Sequence, residues 1–488
     1  MRKIFLCVPP PGENVNWRIS HSPSFPHLGV GYIAASLKRA GFTVRVCDAP
    51  AEKVTFSKLE AMIRGFSPDI VGVTSFTSQI HEAHRVAEIA KKVDPRILTV
   101  AGGAHVSAVP ERTLKEFPAF DAAVIGEGEE TIVDIARFAG ADSSILGIAY
   151  RRGSEIIVTG RRQPVEYLDT IAFPAHEVFS LESYRSLNSL FGRKRTLPVL
   201  SSRGCSYKCR FCFSLLGKKV RFRSAGNVMD EIERDISLFG ANVIFFQDET
   251  FTIDKERVIR LCEEFLKRKL NKKVEWVCET RVDAVDGAIL ALMRKAGCTL
   301  INYGIESGSQ DILDAIRKEI TLEQAEAAVA RTKENKIRVY TNFLIGHPFE
   351  TRRSICRTIK FALRLKADFA SFSILTPFPG TEISDMAAEG AGGLRLLSSD
   401  WREYGTQFGR ALELDTISRQ ELENFQKSAY FSFYSRHPLN VCKIIDFRAF
   451  PVYLYEFFLK RHGRKVINVN RTPAGIKSKL QRRSSVSR

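Results

Sequence analysis

The stretch PVLSSRGCSYKCRFCF, residues 198–213, passes from an apolar segment with strand character into three closely spaced cysteines. Cys205, Cys209 and Cys212 are separated by three and then by two residues, and Phe211 immediately precedes the last of them. Thiolates are strong metal ligands, so this spacing predicts a metal or iron–sulfur centre at the end of a strand. Three ligands are one fewer than a closed centre needs.

Two kinds of centre are compatible with three thiolates. Zinc requires a fourth protein ligand, and the nearest histidines in the sequence, His176 and His347, are far from the motif. A zinc site therefore remains possible only if the fold brings one of these histidines next to the three cysteines. A cluster of four irons normally takes four thiolates, so three leave one iron free to bind a small molecule and pass it an electron. We expect this second kind of centre.

The cysteine motif opens a series of six apolar segments that alternate with helical ones. This alternation predicts six β/α units, a (β/α)6 partial TIM barrel at residues 196–390, with its site at the carboxyl ends of the strands. The predicted strands are PVLSSRG (198–204), VIFFQDE (243–249), VEWVCET (274–280), LINYGIE (300–306), YTNFLIG (340–346) and FASFSIL (369–375).

Residues 1–140 show the same alternation and predict a doubly wound, flavodoxin-like or Rossmann-like α/β domain. No G-x-G-x-x-G follows the first strand, so a dinucleotide is disfavoured. Glycines and hydroxyls in the loops GVTSFTSQ (72–79), AGGAHVSAVP (101–110) and IGEGEET (125–131) suit close approach to a flat, bulky ligand. The predicted strands are KIFLCV (3–8), TVRVCD (43–48), DIVGVTS (69–75), ILTVAGG (97–103) and AAVIGEG (122–128).

The rest of the chain is predicted to connect or follow these domains. Residues 141–195, which include a hairpin-like segment at 149–162, are assigned to a linker. Residues 391–488 are assigned to a small helical region with a basic tail, because Lys460 to Arg488 carries ten Lys or Arg and no acid within a net charge of +18. The tail is either a solvated end or a contact to anionic lipid.

The aromatic run before the tail favours a membrane surface over nucleic acid, so no nucleic-acid partner is expected. No run of about eighteen apolar residues is present, and the N-terminal apolar run is too short for a signal peptide. These features predict a cytoplasmic protein, with peripheral membrane contact through the tail. Ten cysteines in such a chain favour metal or redox chemistry over disulfides. The seven cysteines outside the motif are expected to be small buried side chains.

The cysteine motif, its place on the first strand and the order of the later strand ends resemble the radical S-adenosylmethionine superfamily. The resemblance implies a [4Fe-4S] cluster that binds S-adenosylmethionine at its free iron and cleaves it reductively to a 5′-deoxyadenosyl radical. An electron donor of the reductase or flavodoxin type is expected as a partner. The resemblance implies that Cys205, Cys209 and Cys212 are the catalytic metal ligands, and that the S-adenosylmethionine contacts are Phe211, Asp248, Glu249, Arg281, Glu306, Ser307, Gly346, Pro348 and Thr376.

Two of these assignments have structural alternatives. Asp248 and Glu249 match the contact to the methionine amino group, but acids at this position also serve as a helix N-cap and first turn. Arg281 suits the methionine carboxylate, and it suits equally a structural ion pair with Asp283 or Glu279.

FPHLGVGYIAASLKRAGF (25–42), followed by the three glycine-containing loops and a barrel, resembles the cobalamin-binding domain of B12-dependent radical S-adenosylmethionine enzymes. The motif D-x-H-x-x-G is absent, since His21 and His27 lack its spacing, so we expect cobalamin with no histidine on cobalt. His105 is expected at the corrin edge or as a satisfied loop histidine. The implied cobalamin contacts are Thr74, Ser75, Thr77, Gly102, Gly103, His105, Gly126, Glu127 and Gly128.

The leading hypothesis is therefore a B12-dependent radical S-adenosylmethionine methyltransferase that methylates an unactivated carbon of a small molecule, with a lipid-like or isoprenoid substrate compatible with the composition. The alternative is an oxidative cyclase or rearrangement enzyme with the same cofactors. A methylthiotransferase is disfavoured, because only Cys7 and Cys47 are present in the first domain to hold another cluster. A non-catalytic iron–sulfur carrier would prefer a closed set of four cysteines.

Overall fold

A computed structural model describes residues 2–12, 25–138, 140–187, 194–405, 407 and 409–436. The basic tail and His21 lie outside the described residues. All described residues belong to one compact unit, Met1–Ile444.

The first sheet has seven strands with helices on both faces. Its elements are β1 (Lys3–Val8), α1 (Leu28–Arg39), β2 (Thr43–Asp48), α2 (Ala49–Glu52), α3 (Phe56–Phe66), β3 (Ile70–Thr74), α4 (Ile80–Val93), β4 (Leu98–Gly102), α5 (Ala104–Ala108), α6 (Pro110–Glu116), β5 (Ala122–Val124), α7 (Glu129–Phe138), β6 (Ile148–Arg152) and β7 (Glu155–Val158).

Strands β1 to β5 are parallel in the order β2-β1-β3-β4-β5, which is the flavodoxin-like order. Alternate residues of β1 enter opposite cores, with Phe5 on one face and Leu6 on the other. The hairpin β6–β7, which the sequence assigned to the linker, instead extends this sheet because β6 pairs antiparallel with β5. The predicted doubly wound domain is confirmed.

The second sheet has six parallel strands in the order β15-β14-β13-β12-β11-β8. Its region contains β8 (Thr196–Val199), β9 (Ser202–Arg203), β10 (Arg221–Phe222), α8 (Ala225–Phe239), β11 (Val243–Phe246), α9 (Lys255–Lys267), β12 (Glu275–Thr280), α10 (Gly287–Lys295), β13 (Cys298–Glu306), α11 (Gln310–Ala315), α12 (Leu322–Glu334), β14 (Arg338–Ile345), α13 (Arg352–Leu365), β15 (Phe369–Ile374) and α14 (Glu382–Glu389).

The helices of this region pack on one face of the second sheet. Cys278, Tyr303 and Phe343 lie in a single core with side chains of α8, α9, α10, α12 and α13. Because neighbouring residues of a strand point to opposite faces, Glu279, Asn302 and Asn342 lie on the other face, which is the inner face of a partial barrel. The six predicted β/α units are therefore present.

The C-terminal region contains β16 (Leu394–Leu396), β17 (Leu412–Leu414) and α15 (Arg419–Tyr434). The sequence predicted only helix here, whereas β16 and β17 pair antiparallel. Helix α15 packs against β15, and Phe433 is fully buried in the barrel core. Within the described part of the chain, no helix has the length and apolar character needed to cross a membrane.

Candidate active site

The cluster loop, residues 204–217, follows β9 and ends shortly before β10. Arg203 of β9 pairs with Arg221 of β10, and the Cys205 N–H donates to the Gly217 carbonyl at 3.1 Å. Gly204 has φ of +94°, and a Cβ there would lie 2.4 Å from the Lys219 carbonyl oxygen. Only glycine fits this position, so the residue before the first cysteine fixes where the loop turns.

The three cysteines are free thiols in this loop. Burial raises the pKa of Cys209, and the nearby cations of Lys318 and Arg281 oppose that shift. The adjacent cations favour the thiolate form that a metal centre needs.

The two histidines considered as a fourth zinc ligand lie in different places. The His176 Nε2 atom lies 3.6 Å from Asp235 Oδ2, in a buried group with Glu231. Both carboxylates of this group already pair with arginines, Arg223 and Arg234. The ring centre of His347 lies 6.3 Å from that of Phe211.

The two predicted acids after β11 face different environments. Asp248 is fully buried and accepts hydrogen bonds from the Ser201 N–H (3.2 Å), the Ser201 hydroxyl (2.8 Å) and Arg257 (3.1 Å). Glu249 lies near the Gly204 N–H at the start of the cluster loop, and partial desolvation raises its pKa to about 7. Asp248 thus joins two strand ends, while Glu249 contacts the cluster loop. The residue that caps the following helix is Asp254.

Arg281 forms the structural ion pair that the sequence left open. Its guanidinium makes two 2.9 Å hydrogen bonds to Asp283 and donates to the Lys318 carbonyl at 2.7 Å. The same group stacks 3.7 Å from the centre of the Tyr207 ring, and its Nη1 atom lies 3.9 Å from the Cys209 sulfur. Arg281 therefore adds positive charge beside the second cysteine.

Glu306 and Ser307 end β13 at the mouth of the barrel. Glu306 has a positive φ of +74° and accepts a 2.9 Å hydrogen bond from Lys318 in a buried ion pair. The Ser307 hydroxyl is fully buried and lies 3.1 Å from that of Thr358 on α13. Of these two predicted contacts, Glu306 forms an ion pair with Lys318, which lies close to Cys209. Ser307 contacts Thr358 in the layer of helices outside the barrel.

The turn after β14 is shaped by a buried carboxylate. Glu350 accepts the N–H groups of Gly346 (2.6 Å) and His347 (3.0 Å), and burial raises its pKa to about 8. Pro348 packs against Gly392, where a Cβ would come within 2.7 Å of it. Thr376, after β15, is buried, and its hydroxyl lies 3.4 Å from the Ile374 carbonyl.

The loops at the carboxyl ends of β3, β4 and β5 leave room beside polar atoms. The Ser75 hydroxyl is buried without a hydrogen-bond partner, and a Cβ at Gly102 or Gly126 would meet no atom within 4 Å. Gly103 has φ of +100°, and a Cβ there would lie 2.6 Å from the Ser75 carbonyl oxygen. The Ser75 hydroxyl can thus bond to a ligand, and the neighbouring glycines leave space for it. Both features fit a large flat ligand such as cobalamin.

The other predicted cobalamin contacts differ in their surroundings. Thr74 ends β3, Thr77 is buried in the following turn, and Gly128 lies against Ile33. His105 is 1% exposed, and its ring packs edge-on against Trp401 at 4.9 Å. His27 accepts the Val30 N–H as the cap of α1.

Glu127 and Glu129 contact the base of the cluster loop. Glu127 makes a two-point contact with Arg221, at 2.5 and 3.1 Å, and lies 3.6 Å from Arg203. Glu129, the first residue of α7, accepts a 2.5 Å hydrogen bond from Arg203. All four side chains are nearly fully buried. We call them the ion-pair cluster; it joins the loop after β5 to β9 and β10.

Sequence reasoning missed three residues of this site. Arg203 and Arg221 flank the cluster loop, and Lys318 lies beside Glu306 and Cys209. The available signal for Arg203 was its position directly before Gly204 and Cys205. Nothing in the local sequence pointed to Lys318.

A cobalamin-type domain followed by a three-cysteine barrel defines the class of cobalamin-binding radical S-adenosylmethionine proteins. The B12 binding domain matches residues 21–136, and the Radical SAM superfamily matches residues 199–362. An uncharacterized methyltransferase of Pyrococcus horikoshii is 34% identical over 92% of this chain and 96% of its own length. The anaerobic magnesium-protoporphyrin IX monomethyl ester cyclase of Rubrivivax gelatinosus is 32% identical over 84% of this chain and 74% of its own length.

Solved structures show the same fold. The radical S-adenosylmethionine methyltransferase TsrM from Kitasatospora setae, with cobalamin and a [4Fe-4S] cluster bound, has a TM-score of 0.69 at 18% identity, covering 92% of this chain and 90% of its own. The cobalamin-dependent enzyme OxsB has a TM-score of 0.71 at 18% identity, covering 94% of this chain and 71% of its own.

This chain belongs to the cobalamin-dependent radical S-adenosylmethionine enzymes. Its cofactors are a [4Fe-4S] cluster, S-adenosylmethionine and cobalamin. The family and the cofactors predicted from the sequence are confirmed.

Proposed function

We propose that the enzyme methylates an unactivated carbon of a small molecule. The observation that carries the proposal is the ion-pair cluster, in which Glu127 and Glu129 of the cobalamin-type loop contact Arg203 and Arg221 at the base of the cluster loop. Methyl transfer to a substrate carbon requires both cofactors to reach one substrate, and this contact brings the loops assigned to them together. The 34% identity to a methyltransferase supports the same reading.

When bound, the cluster supplies the electron that cleaves S-adenosylmethionine, and cobalamin carries the methyl group. The cluster ligands are Cys205, Cys209 and Cys212. Arg281 and Lys318 hold positive charge beside Cys209, which favours the thiolate form that a cluster needs. Glu249 offers a carboxylate oxygen beside the loop for the amino group of S-adenosylmethionine.

The test uses enzyme purified without oxygen and supplied with hydroxocobalamin. Iron, sulfide and cobalt are measured per chain, and the enzyme is then incubated with a small-molecule extract and S-adenosylmethionine deuterated in its methyl group. We expect four irons and one cobalt per chain, and a product that gains one labelled methyl group while two S-adenosylmethionines are consumed. Replacing the three cysteines by alanine should abolish 5′-deoxyadenosine formation. Turnover by that variant, or zinc in place of iron, would contradict the proposal.

A second candidate is an oxidative cyclase with the same cofactors. It is favoured by the 32% identity to the protoporphyrin ester cyclase of Rubrivivax gelatinosus. The deuterium experiment separates the two, because a cyclase product loses hydrogen and gains no labelled methyl group. A labelled product excludes the cyclase for that substrate.

Three partner assignments complete the proposal. The electron comes from a reductase or a flavodoxin-type donor, and the enzyme is cytoplasmic with peripheral membrane contact through its basic tail. A lipid-like substrate would suit that contact, and a hopanoid C-3 methylase of Methylococcus capsulatus is 26% identical over 73% of this chain. Flotation with anionic vesicles, for the full chain and for a chain ending at residue 459, tests the tail.

A further inference from the structure

Four polar side chains cross the inner face of the second sheet as one chain of hydrogen bonds. The Ser371 hydroxyl donates to Asn342 Oδ1 at 2.6 Å, the Asn342 amide donates to Asn302 Oδ1 at 2.7 Å, and the Asn302 amide donates to Glu279 Oε1 at 2.8 Å. We call Glu279, Asn302, Asn342 and Ser371 the polar ladder. Its members come from four adjacent strands, β12 to β15, so the barrel itself sets their positions.

The polar ladder ends at a carboxylate that has no cation. Arg281, two residues along the chain, is held by Asp283, and Glu279 forms no ion pair within the described residues. The ladder uses one N–H of each asparagine. The second N–H of Asn302 and of Asn342 makes no hydrogen bond to any other described residue. Burial raises the pKa of Glu279 and the Asn302 amide opposes that shift, so the carboxylate would gain from a further donor.

An apolar layer lies below the ladder, and the barrel mouth lies above it. Below it, Val277, Leu300 and Phe369 are nearly fully buried in an apolar layer. The ladder side chains are only half-buried. Above it, β13 continues from Asn302 for four residues to Glu306 at the barrel mouth, a rise of about 13 Å. A molecule bound to the ladder would therefore approach it from the mouth, past the Glu306–Lys318 ion pair beside Gly304.

The chemistry of the ladder selects one kind of group. An unpaired carboxylate in a site with little water attracts hydrogen-bond donors and repels anions. We propose that the polar ladder is the substrate-recognition site and that it takes a hydroxyl or amino group of the substrate, which donates to Glu279, while carboxylate and phosphate groups are excluded. Binding of a hydrogen-bond donor at the polar ladder does not depend on the function proposed above; only the identification of the bound molecule as the substrate rests on it.

The experiment measures binding rather than turnover. Ligand-observed NMR is recorded on the holoenzyme with S-adenosylmethionine, using three probes with one hydrocarbon body: cyclohexylmethanol, cyclohexylmethylamine and cyclohexanecarboxylate. The wild type is expected to bind the alcohol and the amine and to ignore the carboxylate. Glu279→Gln should weaken amine binding about tenfold. Glu275→Gln is the matched control, because Glu275 lies at the far end of β12 and pairs with Lys194.

Asn342→Ala is a second variant, which interrupts the ladder and leaves the Glu279 charge in place. It should weaken binding of both the alcohol and the amine, with iron content unchanged as evidence of folding. The proposal is overturned if no probe binds, if the carboxylate binds the wild type as well as the amine does, or if Glu279→Gln binds the amine like the control. Donor-selective binding without any methylated product would instead count against the proposed function alone.

Discussion

Glu350 is a buried carboxylate whose neighbours are backbone N–H groups and not a cation. It accepts the N–H groups of Gly346 and His347 with one oxygen, and its other oxygen is buried without a partner. Burial raises its pKa to about 8, so below that pH the folded protein holds a proton that the unfolded chain releases near its ordinary value. The turn at the barrel mouth is thus sensitive to pH through one residue.

The pH dependence of unfolding should reveal this proton. Because the folded pKa lies above the unfolded one, the stabilising contribution is fully present below about pH 4.5 and is lost as the pH rises through about 8. The free energy of unfolding should fall by at most on the order of 1 kcal/mol per pH unit in this window. Glu350→Gln, which keeps an acceptor but cannot titrate, should remove this part of the slope.

Urea unfolding of the apoprotein at pH 5.5 and pH 8 measures the effect. Glu389→Gln, at the exposed end of α14, is the control. Equal pH slopes in the wild type and Glu350→Gln would show that the carboxyl does not titrate in this window.

Local chemistry explains which residues could be predicted from the sequence. The runs Lys3–Val8 and Thr43–Asp48 are strands with the predicted bounds. A short apolar run that ends in polar residues is typical of a buried β-strand and is too short for a buried helix. Glu127 was assigned to cobalamin from its motif, but its partner Arg221 lies 94 residues away. The polar ladder likewise joins four strands. Pairings at such distances depend on strand order and register, which no local pattern contains.

Among the elements, the hairpin β9–β10 is held to the start of α7 by the ion-pair cluster. The negative charges of two carboxylates there neutralise the positive charges of two guanidinium groups, and little water reaches them. Removal of Glu127 therefore leaves the buried Arg221 without its carboxylate partner. Such a loss costs about 3–5 kcal/mol. The hairpin would then be free to move, together with the cluster loop that it closes.

Glu127→Ala should therefore lower both the stability and the iron content of the reconstituted enzyme. Glu130→Ala is the matched control three residues along: Glu130 is 62% exposed and pairs with Arg162 at 3.2 Å, so its loss should cost less than about 1 kcal/mol. Iron per chain and the thermal unfolding temperature are measured for both variants. Equal behaviour of the two would contradict a structural role for the ion-pair cluster.

Across the whole molecule, the C-terminal region returns to the first domain through Trp401. This side chain is 4% exposed and donates to Glu116 at 2.6 Å. The guanidinium of Arg112 lies 4.3 Å from its ring centre, and His105 packs against it. The region after the barrel thus completes the core beside the loop after β4.

Trp401→Ala should cost about 3–5 kcal/mol, as for other large core truncations. Phe431→Ala, at a side chain that is 62% exposed, should cost little. Limited proteolysis should cut the Trp401 variant faster within residues 398–411 than it cuts the control. Equal cleavage rates would mean that this segment is held by other contacts.

The ion-pair cluster also has a thermodynamic consequence. Glu127 lies between Gly126 and Gly128 in the loop assigned to the corrin, and its partner Arg203 lies two residues before Cys205. If occupation of one loop tightens the other, the coupling is reciprocal: the factor by which cobalamin raises affinity for S-adenosylmethionine equals the factor by which S-adenosylmethionine raises affinity for cobalamin. When cobalamin is scarce, the enzyme would then also bind S-adenosylmethionine more weakly, and less of that site would be occupied.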